Sequence, residues 1–256
     1  MFIEFQYPRY AWQIITHLGS LSLMIPIVAI TATSLWQSGH RAAVHVWLPA
    51  LALASVITLA TKILFLGWGI GIAALDFTGI SGHTLLATSV LPVLFGWLFA
   101  RDQNRVKPAG AVFGLLIGAI VGLSRIFLGA HSVSEVVVAW LIGSVVSGVT
   151  LKALDSPLRR PWLAWLAPLV LFLAFNATTS SYLQADNWEV RIALLLSGHD
   201  RPYTRHQLMA NRDMAYSQLT RSTLRNLALG QNSIGTDGHN SFGVNTVFTI
   251  LRTKVA

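Results

Sequence analysis

The stretch "GLSRIFLGAHSVSEVVVAW", residues 122 to 140, decides how the whole chain is read. Its apolar content is that of a membrane segment, yet Arg125, His131 and Glu135 fall within eleven residues of one another. An ionisable group at bilayer depth costs at least about 2.5 kcal/mol unless it is paired or hydrated. Three so close together point to a shared task at the end of membrane helices.

The surrounding composition agrees. Of 256 residues, 54% are hydrophobic and only 11% charged, too apolar for a soluble domain of this size. Six runs have the length, about 17 to 25 residues, that crosses a bilayer: 14 to 36, 43 to 61, 83 to 100, 111 to 129, 132 to 151 and 162 to 178. The expected fold is therefore all-α, a polytopic bundle of about six transmembrane helices over residues 1 to 178, followed by a polar C-terminal tail or small domain over 179 to 256. The start, "MFIEFQYPRYAWQIITHLG", lacks the basic n-region of a secretory signal, so no cleavage is expected. The tail mixes charges with apolar residues at helical spacing, and its last part, "NSFGVNTVFTILRTKVA", alternates like a strand. Small residues at four-residue spacing, Gly114, Gly118 and Gly122, then Ser144 and Gly148, allow close helix approach in lipid.

The chain has no cysteine, which excludes disulfides, thiolate chemistry and cysteine-ligated metal. A net charge of +8 is a possible nucleic-acid signal, but the basic residues lie in short loops and in the tail, as membrane topology requires. "RDQNRVKPAG" (101 to 110) and "KALDSPLRRP" (152 to 161) each carry three Lys or Arg and belong on the cytoplasmic side. Residues 62 to 83 and 125 to 135 then share the outer face, and with six spans both termini lie there too.

On that face the sequence offers Lys62, then Ser81, Gly82 and His83 at the start of the third span, Arg125 leaving the fourth, and His131 and Glu135 entering the fifth. His131 and Glu135 are four apart, so on a helix the carboxylate can hold one imidazole nitrogen and leave the other for attack. Lys62 and Arg125 bring positive charge, the arginine in a two-pronged form suited to oxyanions. Ser81 and the first N–H groups of a helix are further anion donors. The set is a phosphate cradle, in which His83 has the task of general acid.

These residues resemble a known family. "SRIFLGAHSVSE" is similar to the third motif, Ser-Arg-x5-His-x3-Asp, of the type 2 phosphatidic acid phosphatase and vanadium haloperoxidase superfamily, and "ISGH" resembles its second, Pro-Ser-Gly-His. The resemblance covers roughly residues 60 to 150. It implies His131 as the nucleophile that forms a phosphohistidine, His83 as the acid, Glu135 in place of the family aspartate, and Lys62, Ser81, Gly82 and Arg125 as phosphate ligands. It further implies a metal-independent lipid phosphatase without a cofactor, in the bacterial inner membrane with its site on the periplasmic face, acting on a lipid phosphate or diphosphate in the bilayer and not on nucleic acid. Three positions depart from the pattern. Glu135 is one methylene longer than aspartate, Ile80 replaces a proline, and the first motif, Lys-x6-Arg-Pro, keeps Lys62 but has Gly69 and Ile70 where Arg and Pro belong.

Plainer readings compete. "SGH" occurs three times, at 38 to 40, 81 to 83 and 197 to 199. Only the middle copy shares a face with Lys62 and Arg125, and the last is expected to be a surface turn. Asp76 is the other carboxylate on the active face, placed to position His83 or pair with Lys62, or simply a loop acid near a helix start. His17, His45, Trp12, Trp36, Trp47, Trp68 and Trp188 read as interfacial or packing residues. Functional alternatives are phosphotransfer from the same phosphohistidine, a metal site built from His83, His131 and Glu135, and a non-catalytic lipid-binding protein.

Overall fold

A computed structural model of the chain describes residues 6–99, 108–154 and 188–234. The sixth expected span and the strand-like end lie outside the described residues. The chain forms α1 (Gln6–His17), α2 (Leu21–Gln37), α3 (Arg41–Trp68), a short 3-10 turn (Ala73–Leu75), α4 (Gly82–Leu98), α5 (Pro108–Phe127), α6 (Val133–Lys152), α7 (Trp188–Ser197) and α8 (Arg205–Ile234). Among the described residues the sole β pairing is one bridge, Ile72 with Phe77. The expected all-α class holds.

Among the described residues four stretches are long and apolar enough to cross a membrane: Arg9–Gln37, Arg41–Trp68, Pro108–Phe127 and Val133–Lys152. The first is not one continuous helix. A tight turn at Leu18 to Ser20, whose N–H groups donate to the carbonyls of Ile15, Thr16 and His17, separates α1 from α2. Helix α3 is longer than its apolar run suggests: 28 residues rise about 42 Å, beyond the roughly 30 Å of hydrocarbon. Lys62 therefore lies within α3, near its end. Helix α4, with 17 residues, is shorter, and it is the centre of the bundle, packed by α2, α3, α5 and α6.

The outer surface is apolar as the core is, and some polar side chains are buried. Leu53, Val56, Val112, Leu116 and Val145 point outward, whereas Thr84, Thr88, Ser89, Ser147 and Thr150 are buried. Three of these hydroxyls bond back along their own helices, Thr88 Oγ1 donating to Thr84 O at 2.7 Å, Ser147 Oγ to Ser144 O at 3.2 Å and Thr150 Oγ1 to Val146 O at 2.7 Å, as suits polar groups in lipid. Trp47, fully buried, donates its Nε1 hydrogen to Ser89 O at 3.1 Å and ties α3 to α4; it is a packing residue.

Glycines set the helix spacing around α4. A Cβ at Gly110 or Gly114 of α5 would strike the α4 backbone at Phe95 and at Leu91 and Pro92, one at Gly118 would strike Thr88, and one at Gly122 would meet Val136 Cγ1 and Thr84 Cγ2. The four-residue spacing on α5 is thus a contact stripe. On α6 the expected pair does not serve: Gly148 faces open space, and Ser144 bonds to Trp140 O of its own helix. The buried line is instead Glu135, Ala139, Gly143 and Ser147, where a Cβ at Gly143 would collide with Thr88.

The chain divides into two compact units, Met1–Met209 and Ala210–Ala256. Helix α7, which packs on α3, and the start of α8 belong to the first. In the second, the described part of α8 exposes Met214, Tyr216, Leu219, Leu224 and Leu227.

Candidate active site

The site is built where α5 turns into α6. Gly129 takes a left-handed φ of 69°, and the turn folds back so that the N–H groups of Ala130 and His131 donate to Arg125 O at 3.0 and 3.3 Å. The spacing between Arg125 and His131 is the length of this helix-ending turn. Ser132 then caps α6: its hydroxyl accepts from Glu135 N at 3.4 Å while Glu135 Oε2 accepts from Ser132 N at 3.1 Å, a reciprocal capping box. The cap aims the Glu135 carboxylate back at the turn, where Oε2 meets His131 Nδ1 at 2.7 Å.

Glu135 is fully buried and heavily solvated by protein. Oε1 accepts from Thr78 N and Thr78 Oγ1, both at 2.6 Å, and Arg205 spans both oxygens at 2.9 Å. Hydrogen bonds to both of its oxygens fix the carboxylate in one orientation. With Nδ1 committed to it, Nε2 is the ring nitrogen of His131 left for chemistry. Burial pushes the His131 imidazole below the ordinary histidine value; Glu135 acts upward, and the Arg125 and Lys62 charges act downward with burial.

His83, in the first turn of α4, lies within electrostatic range of Arg125, Lys62, His131 and His17. The α1–α2 turn covers it, since a Cβ at Gly19 would lie 2.6 Å from His83 O and 2.9 Å from His83 Cβ. The end of α1 reaches Arg125, whose guanidinium donates to Thr16 Oγ1 at 3.1 Å. Next to it, Trp12 stacks on Phe127 with centroids 4.6 Å apart.

Lys62 is brought alongside by the strip from Thr78 to Ser81. A Cβ at Gly79 would lie 3.0 Å from Lys62 Cγ, and Ile80 N donates to Thr61 Oγ1 at 3.1 Å. That bond explains the missing proline of the second motif, because a proline at 80 has no hydrogen to give. Ser81 is the N-cap of α4 and fully buried, its hydroxyl 2.9 Å from Thr84 Oγ1. Gly82 opens α4 with no atom closer than 4.0 Å to a Cβ placed there.

The structure thus gathers Lys62, Ser81, Gly82, His83, Arg125, His131 and Glu135 at one end of the bundle. Asp76 pairs with Arg205 at 2.8 Å, and the carboxylate beside Lys62 is that of Glu189, with both oxygens 3.0 Å from Nζ. Among the described residues no three His, Asp or Glu side chains form a group able to hold a metal ion. The third "SGH" serves structure: His199 Nδ1 donates to Gly67 O at 2.7 Å near the end of α3. The first lies at the end of α2 remote from Gly19.

Sequence reasoning missed Thr16, Thr78, Glu189 and Arg205. The available signal for the last was the charged cluster "SGHDRPYTRH" directly after the apolar α7, too dense in polar groups for a passive linker.

A membrane-type helical bundle with a carboxylate-held histidine, a second histidine and two cations at one end defines a class of anion-handling protein. Residues 74–159 match the PAP2 superfamily. A Klebsiella pneumoniae protein described as an uncharacterized 22.5 kDa protein in cps region is 30% identical over 209 residues, covering 77% of this chain and 97% of that protein. No solved structure matches significantly. The chain belongs to the PAP2 superfamily, and that membership together with its apolar helices supports a phosphatase.

Proposed function

We propose that the protein is an integral membrane phosphatase that hydrolyses a lipid phosphate or diphosphate through a phosphohistidine, without a metal. The observation that carries this reading is the His131–Glu135 hydrogen bond of 2.7 Å, inside the fields of Arg125 and Lys62. His131 Nε2 attacks phosphorus, forming the N–P bond as the bond to the lipid oxygen breaks, and His83 protonates that oxygen. Water then attacks the phosphohistidine, His83 takes its proton, and inorganic phosphate leaves. Lys62, Arg125 and the α4 N-terminus at Ser81 and Gly82 balance the charge on five-coordinate phosphorus.

A site at the end of the helices suits a substrate whose tails stay in the bilayer. Undecaprenyl diphosphate, phosphatidate, phosphatidylglycerol phosphate and lipid A phosphates all present the required group, and the loop charges support a periplasmic orientation. The test is phosphate release from this panel by detergent-purified protein. His131→Ala lowers turnover by several orders of magnitude while the protein stays helical and monodisperse; wild-type turnover in that variant rejects the assignment. Phosphate appearing on an added alcohol in place of water identifies the phosphotransfer alternative.

A further inference from the structure

The arginine absent from position 69 has a structural counterpart. Gly69 ends α3 with a left-handed φ of 69°, and a Cβ there would lie 2.8 Å from Tyr203 Cδ1 and 3.0 Å from Cε1. The tyrosine ring fills the space that a side chain at 69 needs. The segment that carries it is anchored on the end of α3: Tyr203 N donates to Leu66 O at 2.9 Å, His199 donates to Gly67 O at 2.7 Å, and the two rings meet edge to face at 5.8 Å. Two residues later Arg205 reaches Asp76 Oδ2 at 2.8 Å with one nitrogen, and both Glu135 oxygens at 2.9 Å and Thr78 Oγ1 at 3.1 Å with the other.

We propose that Arg205 is a positioning residue for the reaction: it clamps Glu135, Glu135 fixes His131, and the C-terminal segment seated on Gly69 delivers it. The proposal rests on His131 being the nucleophile. Arg205 lies outside the matched family region, so nothing in that match assigns it a role. Its geometry is that of a clamp and not of a phosphate ligand, because both terminal nitrogens are committed to carboxylates and the Thr78 hydroxyl. A fully buried Glu135 without this cation becomes an under-compensated charge. Its carboxylate then protonates or swings, and His131 loses its fixed tautomer and direction. Lysine has no fork with which to serve Asp76 and Glu135 together.

The test uses the purified full chain as wild type, Arg205→Ala and Arg205→Lys, read by turnover of a lipid phosphate and by nitrogen-15 NMR of labelled histidines, with His131 assigned through its alanine variant. The expected result for Arg205→Ala is a fall in kcat on the order of 100-fold with KM near wild type. The His131 signals move from one fixed tautomer to an average, and Arg205→Lys lies between. Wild-type kcat with an unmoved His131 resonance overturns the proposal. So does a raised KM with kcat retained, which makes Arg205 a phosphate ligand. Should the alanine variant fail to fold, wild-type kcat and resonance in the lysine variant overturn it equally. If wild-type protein releases no phosphate from any lipid, the phosphatase reading falls, and the resonance alone decides whether Arg205 holds His131.

Discussion

Around the middle of α4 the helices meet through glycines and hydroxyls, whereas at the end that carries His131 they meet through charges. In the first region Gly114 and Gly118 of α5 and Gly143 of α6 lie directly on α4, and the hydroxyl of Thr88 is satisfied by its own helix. Trp47, which donates to Ser89 O at 3.1 Å, reaches this region from a distant helix, and it brings no charge with it. In the second, Glu135 is held by Thr78 and by Arg205, 57 and 70 residues away, and Lys62 by Glu189, 127 residues away. One region supplies close packing that lipid cannot compete with. The other assembles groups that lipid cannot solvate, and so requires each to find its counterpart in the protein.

Gly143→Val is the largest way to break the comparison. Its Cβ would meet Thr88 Cβ at 2.8 Å and Leu85 O at 2.9 Å, and overpacking of this kind costs about 1–3 kcal/mol. The apparent Tm in detergent should fall by roughly 2–12 °C, while turnover per folded molecule at low temperature stays near wild type. An unchanged Tm shows that α4 and α6 are not held at glycine contact; lost turnover with an unchanged Tm shows that packing and chemistry are not separable.

The same division governs what could be read from the sequence. Helices were legible because a bilayer demands long apolar runs, and the α5 stripe because close approach demands small residues at one-turn spacing. His131, Glu135 and Arg125 were legible because they share one turn and one cap. The break at Leu18 to Ser20 was not, since a turn that satisfies its own N–H groups leaves the apolar run intact. Neither were Glu189 and Arg205: their partners are distant in sequence, and no periodicity links Arg205 to Asp76 or Tyr203 to Gly69. Gly69 itself looked like a loss, when it is the vacancy into which Tyr203 packs.

The acid side of the pH profile sharpens the comparison from the charged end. In the proposed mechanism His131 attacks only as the neutral imidazole. Burial sets its pKa below the ordinary 6.5, with Arg125 and Lys62 acting the same way and Glu135 opposing them. Accordingly kcat/KM should hold steady on descending through neutrality and fall only when the pH drops through that lowered value, as imidazolium forms. Glu135→Gln removes the opposing influence, so the acid limb should move lower still while kcat falls. A wild-type limb at or above 6.5 means that the carboxylate outweighs burial. A limb that ignores Glu135→Gln belongs to another group.

The smallest effect concerns the other ion pair. Lys62 is proposed to meet phosphate, yet Nζ sits 3.0 Å from both oxygens of Glu189, with the two side chains about a quarter exposed at 24% and 25%. A substrate anion must then compete with a carboxylate for the same ammonium. Partly exposed pairs of this kind are worth about 0.2–1 kcal/mol, so Glu189→Gln should lower KM by up to about fivefold with kcat unchanged, and the gain should shrink as salt screens the original competition. A raised KM reverses the assignment: Glu189 would then be holding Lys62 in place for phosphate, as Arg205 holds Glu135 for His131, and both ends of the C-terminal segment would serve positioning.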